Sequence, residues 1–570
     1  MVFIRDCENI LVEYLRTLYG EGNYNAWMHQ RETWKCLYED AGEKVILLRV
    51  PTAGGKTESV LIPYFYQYVF DDWFLAPGLI YVLPNKTLLF SQYQRIMKMR
   101  DIICPSKRIS VVADLGGIYP GKTFLFGDIV LTTLDAFVYG LMAKRTILLD
   151  RDENLGKTLF PIGNIATSIV VFDEVQMYQD SSYYTPRILG KIINILYRSG
   201  VPVVIMTATM PEVLKKSLIP ETVEYVTVYN SKVKRGKVSI HLKTDIKLLD
   251  FIMFDPEFKD ILHYYRRILV VVNTVGKAVQ IYRALRDMVE PLGFEIDLIH
   301  GRLLEATRRG RESKLEDLKN SDIKYILVAT QVAESGLDLD FHVVLTELAP
   351  IDGLIQRLGR AARRISEGIG YVFGAESNRP YSGEILDRTL NAIEPSRLEA
   401  ALMDLRDTDA LLNQVFMEMP SLPKHLVGIY NKTRASIESL SPFIDFSCLR
   451  ARVRPELYIT VLVLENVNCD ELRKIGSTAE LHLPYVVVRD NHMNVQFIGT
   501  DLEMYPYLKF GDFALKVDLE RSFLSNNHVL LKISKAPRIF PQNLYLANPN
   551  YYVEEKNYDL GLMFRGEENA

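Results

Sequence analysis

The chain has 570 residues, more than a single hydrophobic core organises, and its length predicts several domains. Its residues are 48% hydrophobic and 24% charged, as in folded globular proteins, and no apolar run approaches the ~18 residues that a membrane-spanning helix needs. The net charge of −4 excludes a uniformly basic nucleic-acid-binding protein, so any basic binding surface has to be local. The five cysteines form no Cys-x-x-Cys pair, which argues against a zinc or iron–sulfur module and predicts a reducing, cytoplasmic location.

A glycine-bearing turn at residues 49–57, Arg-Val-Pro-Thr-Ala-Gly-Gly-Lys-Thr, follows a helical segment at 1–44 and the apolar run Val45–Leu48. The run predicts a buried strand, and residues 58–68 predict a helix after the turn. Strand, turn and helix in this order are typical of a phosphate cradle, in which backbone N–H groups point at the phosphates. The residues predicted to hold ATP in this turn are Thr52, Ala53, Gly54, Gly55, Lys56 and Thr57.

Two side chains of the cradle have individual roles. Lys56 is predicted to reach the β- and γ-phosphates, and the Thr57 hydroxyl is predicted to bind Mg²⁺. The general pattern is matched imperfectly, because Val50 stands where its first glycine is expected. The prediction therefore depends on the Gly-Lys-Thr end and on the flanking strand and helix, and an ordinary turn is the alternative.

Beyond the cradle, short apolar strands alternate with amphipathic helices in two successive sets, which predicts two α/β lobes with parallel sheets covered by helices on both faces. The lobes are predicted to join near Ser231–Gly236, and a helical stretch and a small β-rich part follow them, with a charged, mobile tail from Tyr552. The predicted domains are 1–44, 45–232, 233–380, 381–454 and 455–570. The strands predicted after the first are Leu79–Leu83, Ile109–Ala113, Asp128–Thr132, Ile169–Phe172, Val201–Met206, Ile268–Val272, Phe294–Ile299, Tyr325–Ala329, Val343–Thr346 and Gly370–Phe373, and in the C-terminal part Leu457–Leu464, Tyr485–Val488, Val495–Ile498, Phe513–Val517 and Val529–Ile533.

Two acids end the predicted strand Ile169–Phe172. Asp173 is predicted to hold Mg²⁺, and Glu174 to orient and deprotonate the attacking water. An acidic loop at a strand end is the alternative. Thr207 and Thr209, which follow the next strand, are predicted to couple the acids to the other lobe through their hydroxyl groups.

The second lobe carries an arginine-rich run, Gln-Arg-Leu-Gly-Arg-Ala-Ala-Arg, at residues 356–363. Its arginines are spaced by three, which predicts that they share one face of a helix. An arginine from a facing lobe can neutralise the charge that develops on the γ-phosphate. Arg360 and Arg363 are the candidates for this role, and a surface helix with chance spacing is the alternative.

These motifs, in this order, resemble those of superfamily 2 helicases over residues 27–375. Residues 329–363, His300-Gly301-Arg302 and the Asp-Glu-Val motif are similar to those of the CRISPR-associated helicase of type I systems. The resemblance implies two tandem RecA-like lobes and further ATP contacts. Departures are Ala53, which stands where glycine is usual, Gln176, which stands where histidine is commoner, and Gly336, which stands where serine is commoner. The further contacts implied for ATP are the adenine-side Gln30 and, in the second lobe, Gly336, Asp338 and Gln356.

Nucleic-acid contacts are expected at strand ends, where hydroxyl, amide and backbone groups grip phosphates without reading bases. Each of these residues, taken alone, is better explained by an ordinary helix cap. A basic run from Arg302 to Lys314 is interpreted as a solvated face. The candidate contacts are Pro84, Asn85, Gln92, Thr132 and Thr133 in the first lobe, and Asn273, Thr274 and Thr330 in the second.

In the commoner form of the resembling family, a histidine–aspartate nuclease domain precedes the helicase. Here about 45 residues precede the first predicted strand, and none of the nine histidines is followed by aspartate. The expected enzyme is therefore an ATP- and Mg²⁺-dependent single-stranded DNA translocase without nuclease activity of its own. The resemblance implies a separate nuclease subunit and a multisubunit CRISPR RNA-guided surveillance complex as partners. An RNA helicase and an ATP-gated nucleic-acid clamp are the alternatives.

Overall fold

The computed structural model describes residues 2–51, 54–115, 124–142, 155–318, 323–334, 339–439 and 453–454, and after these 457–463, 483–484, 492–497, 509–510, 513–514, 533–534, 544–547, 552–556 and 558–562. The chain divides into two compact units. The first comprises Met1–Val233 and Met403–Pro455, and the second comprises Lys234–Leu402 and Glu456–Ala570. Among the described residues, no helix has both the length and the apolar character required to cross a membrane.

The first unit is built on a seven-stranded sheet. Its strands are β1 Val45–Arg49, β2 Gly78–Leu83, β3 Val111–Asp114, β4 Ile129–Thr133, β5 Ser168–Phe172, β6 Val203–Thr207 and β7 Tyr225–Tyr229. All pairs are parallel, in the order β3-β4-β2-β5-β6-β1-β7. Strands β2, β5 and β6 are buried along their whole length, as a parallel sheet with helices on both faces requires.

Alternate residues of β1 show how the two faces are covered. Ile46 and Leu48 pack in one apolar cluster with Trp34, whereas Val45 and Leu47 pack in another with Phe137. The helices of this unit are α1 Val2–Tyr19, α2 Met28–Glu39, α3 Lys56–Phe70, α4 Lys86–Ile103, α5 Leu134–Leu141, α6 Leu155–Ala166, α7 Tyr184–Arg198 and α8 Glu212–Leu218, and Leu405–Val415 and Lys424–Ser439 in the returning segment.

The second unit is built on a six-stranded sheet. Its strands are β8 Lys237–Lys243, β9 Arg267–Val271, β10 Glu295–Ile299, β11 Tyr325–Ala329, β12 Val343–Glu347 and β13 Glu367–Phe373. All pairs are parallel, in the order β10-β11-β9-β12-β13-β8, so β10 is an edge strand. The helices are Leu248–Phe254, Pro256–Tyr264, Val275–Val289, Glu305–Asp317, Ile351–Leu358, Gly383–Ala392 and Pro395–Met403.

The C-terminal part is β-rich in its described residues. Leu457–Val463 pairs antiparallel with His492–Phe497 and parallel with Leu544–Ala547, and three two-stranded pairs accompany this sheet. The predicted fold class, two parallel α/β lobes followed by a helical stretch and a small β-rich part, is confirmed. The predicted strand Tyr485–Val488 and most of Phe513–Val517 and Val529–Ile533 lie outside the described residues.

The prediction of a mobile tail from Tyr552 is wrong for the segment up to Leu562, and residues 563–570 lie outside the described residues. Tyr552–Glu555 and Tyr558–Leu562 form an antiparallel hairpin, and Leu560 is fully buried in the core of the second unit. The charged residues of this segment favour a mobile tail when only the sequence is considered. Its aromatic residues decide the structure, since the Tyr558 ring stacks on Tyr282 with centroids 4.7 Å apart.

Candidate functional site

The turn after β1 is packed so tightly that it requires glycine. A Cβ on Gly54 would lie 2.3 Å from Val50 Cγ1, and one on Gly55 would lie 2.6 Å from Gln30 Nε2. Gly55 also has a φ of +70°, a left-handed conformation that glycine adopts at little cost. Val50, found where the first glycine of the pattern was expected, packs against the turn. Thr52 and Ala53 lie outside the described residues.

Lys56, Asp173 and Glu174 are brought together by the fold. Lys56 begins α3, and its Nζ donates a hydrogen bond of 3.0 Å to Oε1 of Glu174. Asp173, only 3% exposed, accepts a 2.9 Å bond from the Glu174 backbone N–H. Glu174 has a φ of +48°, and such backbone strain in a non-glycine residue persists only where the surrounding structure imposes it. Three of the residues predicted to act in hydrolysis therefore form one largely buried charged cluster.

The charges of this cluster fit a divalent cation. Burial and, after it, the neighbouring Glu174 carboxylate raise the pKa of Asp173 to about 6, while Lys56 acts in the opposite direction. The Thr57 hydroxyl lies near Asp173, since Tyr81 interacts with both residues. A buried carboxylate and a hydroxyl group are the hard oxygen ligands that Mg²⁺ takes in proteins.

Tyr81 and Arg95 are residues of this site that the sequence analysis missed. Tyr81, buried on β2, donates a 2.8 Å hydrogen bond to Asp173 Oδ2. Arg95 on α4 pairs with Glu58 and lies 3.4 Å from the Thr57 hydroxyl. A signal existed for Tyr81, because the hydroxyl group of a tyrosine in an otherwise aliphatic buried strand has to find a partner. Arg95 gave no such signal.

Thr207, at the end of β6, is connected to the acid Glu174 through the side chain of Gln176. Gln176 Nε2 donates to Glu174 Oε2 at 2.6 Å, and Gln176 Oε1 accepts from the Thr207 hydroxyl at 2.6 Å. The Thr209 hydroxyl is buried and has no hydrogen-bond partner within the described part of the chain. Thr207 is thus linked to Glu174 by one intervening side chain.

Gln30 lies beside the cradle. Its Nε2 donates to the Gly55 carbonyl at 3.3 Å, and its Oε1 accepts from the Trp27 backbone N–H at 2.9 Å. The adjacent His29, also missed in the sequence, bonds the Gly54 carbonyl at 2.7 Å through Nε2 and the Asn230 amide at 3.1 Å through Nδ1. Burial lowers the pKa of His29, which keeps the ring neutral and suited to one donated and one accepted bond.

The candidate nucleic-acid contacts of the first unit differ in their surroundings. Asn85 caps α4 by accepting from Leu88 N at 2.9 Å, and Thr133 caps α5. Thr132 is fully buried, and its hydroxyl donates to the Asp114 carbonyl. Pro84 offers its carbonyl to Arg454 at 3.2 Å. Gln92 Oε1 is buried without a partner among the residues described here.

In the second unit, two of the three candidates are buried. Asn273 donates to the Leu348 carbonyl at 2.9 Å and accepts from Arg357 at 3.0 Å, so its side chain supports the fold. Thr330 is 4% exposed, and its N–H donates to the Ile299 carbonyl at 3.3 Å. Thr274 caps the helix Val275–Val289. Gly336 and Asp338 lie outside the described residues.

The arginine run does not share one helix face, and that prediction is wrong. The helix Ile351–Leu358 carries Gln356 and Arg357 and ends at Gly359, because the chain then turns to pair Ala361 with Phe341. Arg357 is fully buried, and its guanidinium donates to Glu334 Oε1 at 2.8 Å. Arg360 and Arg363 therefore lie beyond the end of the helix.

The two candidate arginines have distinct environments in that turn. The Arg360 guanidinium donates to the carbonyls of Ala333 at 3.0 Å and Glu334 at 2.6 Å. The backbone N–H of Arg363 donates to Asp340 at 2.7 Å. The positive charge of Arg363 also contributes, after burial, to lowering the pKa of Arg235 to about 10. Both side chains are half-buried.

Two family models match the chain. The DEAD/DEAH box helicase model matches residues 27–217, and the C-terminal model of the CRISPR-associated nuclease/helicase Cas3 matches residues 265–366. The chain is 31% identical to the CRISPR-associated helicase Cas3 of Thermoproteus tenax over 75% of its own length and 73% of the relative. It is 25% identical to a putative CRISPR-associated nuclease/helicase Cas3 of Methanocaldococcus jannaschii, over 85% of the chain and 67% of the relative.

Solved structures share the fold. The crystal structure of T. fusca Cas3 has a TM-score of 0.63 at 17% sequence identity, covering 94% of this chain and 68% of that one. Phosphate cradle, paired acids and arginine run thus lie on a fold of this type, and the sequence match spans most of both chains. The chain belongs to the CRISPR-associated Cas3 helicases, ATP-dependent helicases of superfamily 2.

Proposed function

We propose that the chain is an ATP-driven translocase on single-stranded DNA that unwinds target DNA in type I CRISPR interference for a separate histidine–aspartate nuclease subunit. The observation that carries the proposal is the contact of Lys56 with Glu174 beside buried Asp173, on a cradle that only glycine can form. These are the parts of a hydrolytic site, which favours a motor over a passive clamp.

The proposed roles follow from the contacts of each side chain. The Lys56 ammonium leaves Glu174 for the β- and γ-phosphates when ATP binds, which frees the carboxylate to take a proton from the attacking water. Thr57 and Asp173 would hold Mg²⁺, which would supply positive charge to neutralise the phosphates. Gln176 is bonded to both Glu174 and Thr207, so a movement of the Glu174 carboxylate is transmitted through Gln176 to Thr207 at the end of β6. Gln30, Gly336, Asp338 and Gln356 are proposed as further ATP contacts.

The partners are proposed from the family and from the words that name its relatives. The T. tenax relative is named a helicase alone, whereas the M. jannaschii relative is named a nuclease/helicase. One structural neighbour is a CRISPR RNA-guided surveillance complex, and another is a helicase bound to DNA. We assign a surveillance complex, single-stranded DNA and a separate nuclease as partners of this chain on that basis.

The ATPase rate with and without nucleic acid tests this proposal. We expect stimulation by single-stranded DNA that falls as salt rises, because the candidate contacts grip phosphates, and little preference among base sequences. Stimulation by RNA alone would identify an RNA helicase. ATP-dependent retention of DNA without turnover would identify a clamp. Strong discrimination between unrelated sequences of equal length would contradict phosphate tracking.

We expect no DNA degradation by the purified chain with Mg²⁺, Mn²⁺, Ni²⁺ or Co²⁺. A histidine–aspartate nuclease needs clustered metal ligands, and the described residues contain no group of three or more His, Cys, Asp or Glu that could hold a metal ion. An end-labelled strand incubated with the chain across these metals is the measurement. Degradation is expected when a separate nuclease subunit is added, and its processive form should then need ATP. Cleavage that disappears on mutation of a residue of this chain would refute the proposal.

A further inference from the structure

The C-terminal hairpin Tyr552–Leu562 covers the open edge of the second sheet. Strand β10 is the edge strand, and an unpaired edge exposes backbone groups that need partners. The Tyr558 hydroxyl accepts a 2.7 Å bond from Leu298 N and donates a 3.0 Å bond to Asp297 Oδ1. The hairpin therefore supplies side-chain partners to the edge strand from more than two hundred residues further along the chain.

The same hairpin holds the turn that follows β10. His300 is fully buried, and its Nε2 lies 2.9 Å from the Leu560 carbonyl while its Nδ1 lies 3.1 Å from Arg302 N. This pattern makes Nε2 the donor and Nδ1 the acceptor of a neutral ring. Burial lowers the pKa of His300 to about 3, so the ring stays neutral. At the end of the turn, the Tyr552 hydroxyl accepts from Leu304 N at 3.4 Å.

The helix Glu305–Asp317 after the turn is also fixed by the hairpin. Arg311 lies 3.8 Å over the Tyr558 ring and donates to the carbonyls of Leu298 at 2.5 Å and Asp559 at 2.6 Å. Thr307 donates to the Asp559 carboxylate at 2.5 Å. The interpretation of this basic run as a solvated face is thus wrong for Arg311, which is 8% exposed.

The turn 300–304 lies at the carboxyl ends of the parallel strands, where the candidate nucleic-acid contacts of this unit are also found. The carboxyl ends of parallel strands share one edge, where ligands bind in open α/β sheets. Thr330 N donates to the Ile299 carbonyl at 3.3 Å, and Val272 N donates to the Ala329 carbonyl at 3.0 Å. A displacement of residues 300–304 would therefore reach Thr330 first.

We propose that the hairpin Tyr552–Leu562 is a positioning element for nucleic-acid binding. It holds the turn 300–304 against the ends of the β-strands that carry the candidate contacts to single-stranded DNA. The inference depends on the proposed translocase function. It assigns to the end of the chain a role in the affinity for nucleic acid, separate from ATP binding.

Gly561→Ala tests the proposal. Gly561 has a φ of +92°, and a Cβ there would lie 2.6 Å from His300 Cε1 and 2.7 Å from the Arg302 carbonyl, so the methyl group displaces the turn. Gly293→Ala is the matched control, because Gly293 has a φ of +77° but open space around its Cβ position. Both variants carry comparable backbone strain, and only the first pushes on the turn.

We expect Gly561→Ala to raise the DNA concentration for half-maximal ATPase stimulation about tenfold, which corresponds to about 1.4 kcal/mol of binding free energy. The ATP concentration for half-maximal rate should match that of Gly293→Ala. Tyr558→Phe, which removes the hydroxyl and keeps the ring, should act in the same direction with less loss of stability, and it decides the question if Gly561→Ala does not fold.

The outcomes separate this inference from the proposed function. DNA affinity equal to that of Gly293→Ala in a folded Gly561→Ala, or wild-type affinity in Tyr558→Phe if Gly561→Ala does not fold, would overturn the inference and leave the translocase intact. A wild-type chain whose ATPase no nucleic acid stimulates would overturn both. A parallel rise in the half-saturating ATP concentration would show a general structural effect and also overturn the inference.

Discussion

Glu174→Gln is expected to bind ATP and to hydrolyse it 10²- to 10⁴-fold more slowly, the range that a positioned general base contributes. The amide keeps the size of the carboxylate but cannot accept a proton. It also removes the negative charge that pairs with Lys56 at 3.0 Å, so nucleotide affinity should hold or rise. Single-turnover hydrolysis and the affinity for a fluorescent ATP analogue, measured on the same preparation, check the two expectations.

Lys56→Ala is the contrasting variant for the same site. It removes the phosphate-facing ammonium and leaves Glu174 with its bond from Gln176, so both affinity and turnover should fall. Melting temperatures control for folding, because both side chains are largely buried. Near wild-type turnover in either variant would contradict the assignment of the site.

Much of the fold could be predicted because its inner strands are continuous apolar runs. The run Tyr325–Ala329 was predicted with the bounds that the structure has, and both sheets are parallel, as alternating strands and helices indicate. The edge strands β7 and β8 were missed. These two strands, Tyr-Val-Thr-Val-Tyr and Lys-Val-Ser-Ile-His-Leu-Lys, contain no continuous apolar run like those of the inner strands. Exposed residues alternate with more buried ones along them, which is typical of a half-solvated strand.

The candidate site was predictable to the extent that its chemistry is local in the sequence. Lys56 and the acids Asp173 and Glu174 follow strands, so their meeting at one sheet edge follows from parallel topology. Tyr81 and His29 bond groups far away in the chain. The buried strand around Tyr81 indicates that its hydroxyl group needs a partner, but no local pattern identifies that partner as Asp173. The same holds for the hairpin bond between Leu560 and His300, which depends on tertiary packing alone.

Arg360→Ala and Arg363→Ala are each expected to lower turnover by on the order of 10³ or more, with a far smaller change in ATP affinity. An arginine that neutralises charge on the γ-phosphate acts mainly in the transition state, so its loss appears in the maximal rate. The structure separates the two candidates. The Arg360 guanidinium holds the carbonyls of Ala333 and Glu334, whereas Arg363 donates its backbone N–H to Asp340.

Arg364→Ala is the matched control for these variants, because Arg364 is exposed and adjacent to Arg363. Its backbone N–H, which the substitution keeps, donates to the same Asp340 carboxylate at 2.8 Å. Melting temperatures are needed for Arg360→Ala, since release of the 333–334 segment can lower stability without any role in hydrolysis. A variant with tenfold weaker ATP binding and an unchanged maximal rate would assign that arginine to ground-state binding. Arg363→Ala and Arg364→Ala each remove one positive charge from the same turn, so only a specific role of Arg363 would make their turnover differ. If the two variants have equal turnover, the transition-state role is assigned to Arg360 alone.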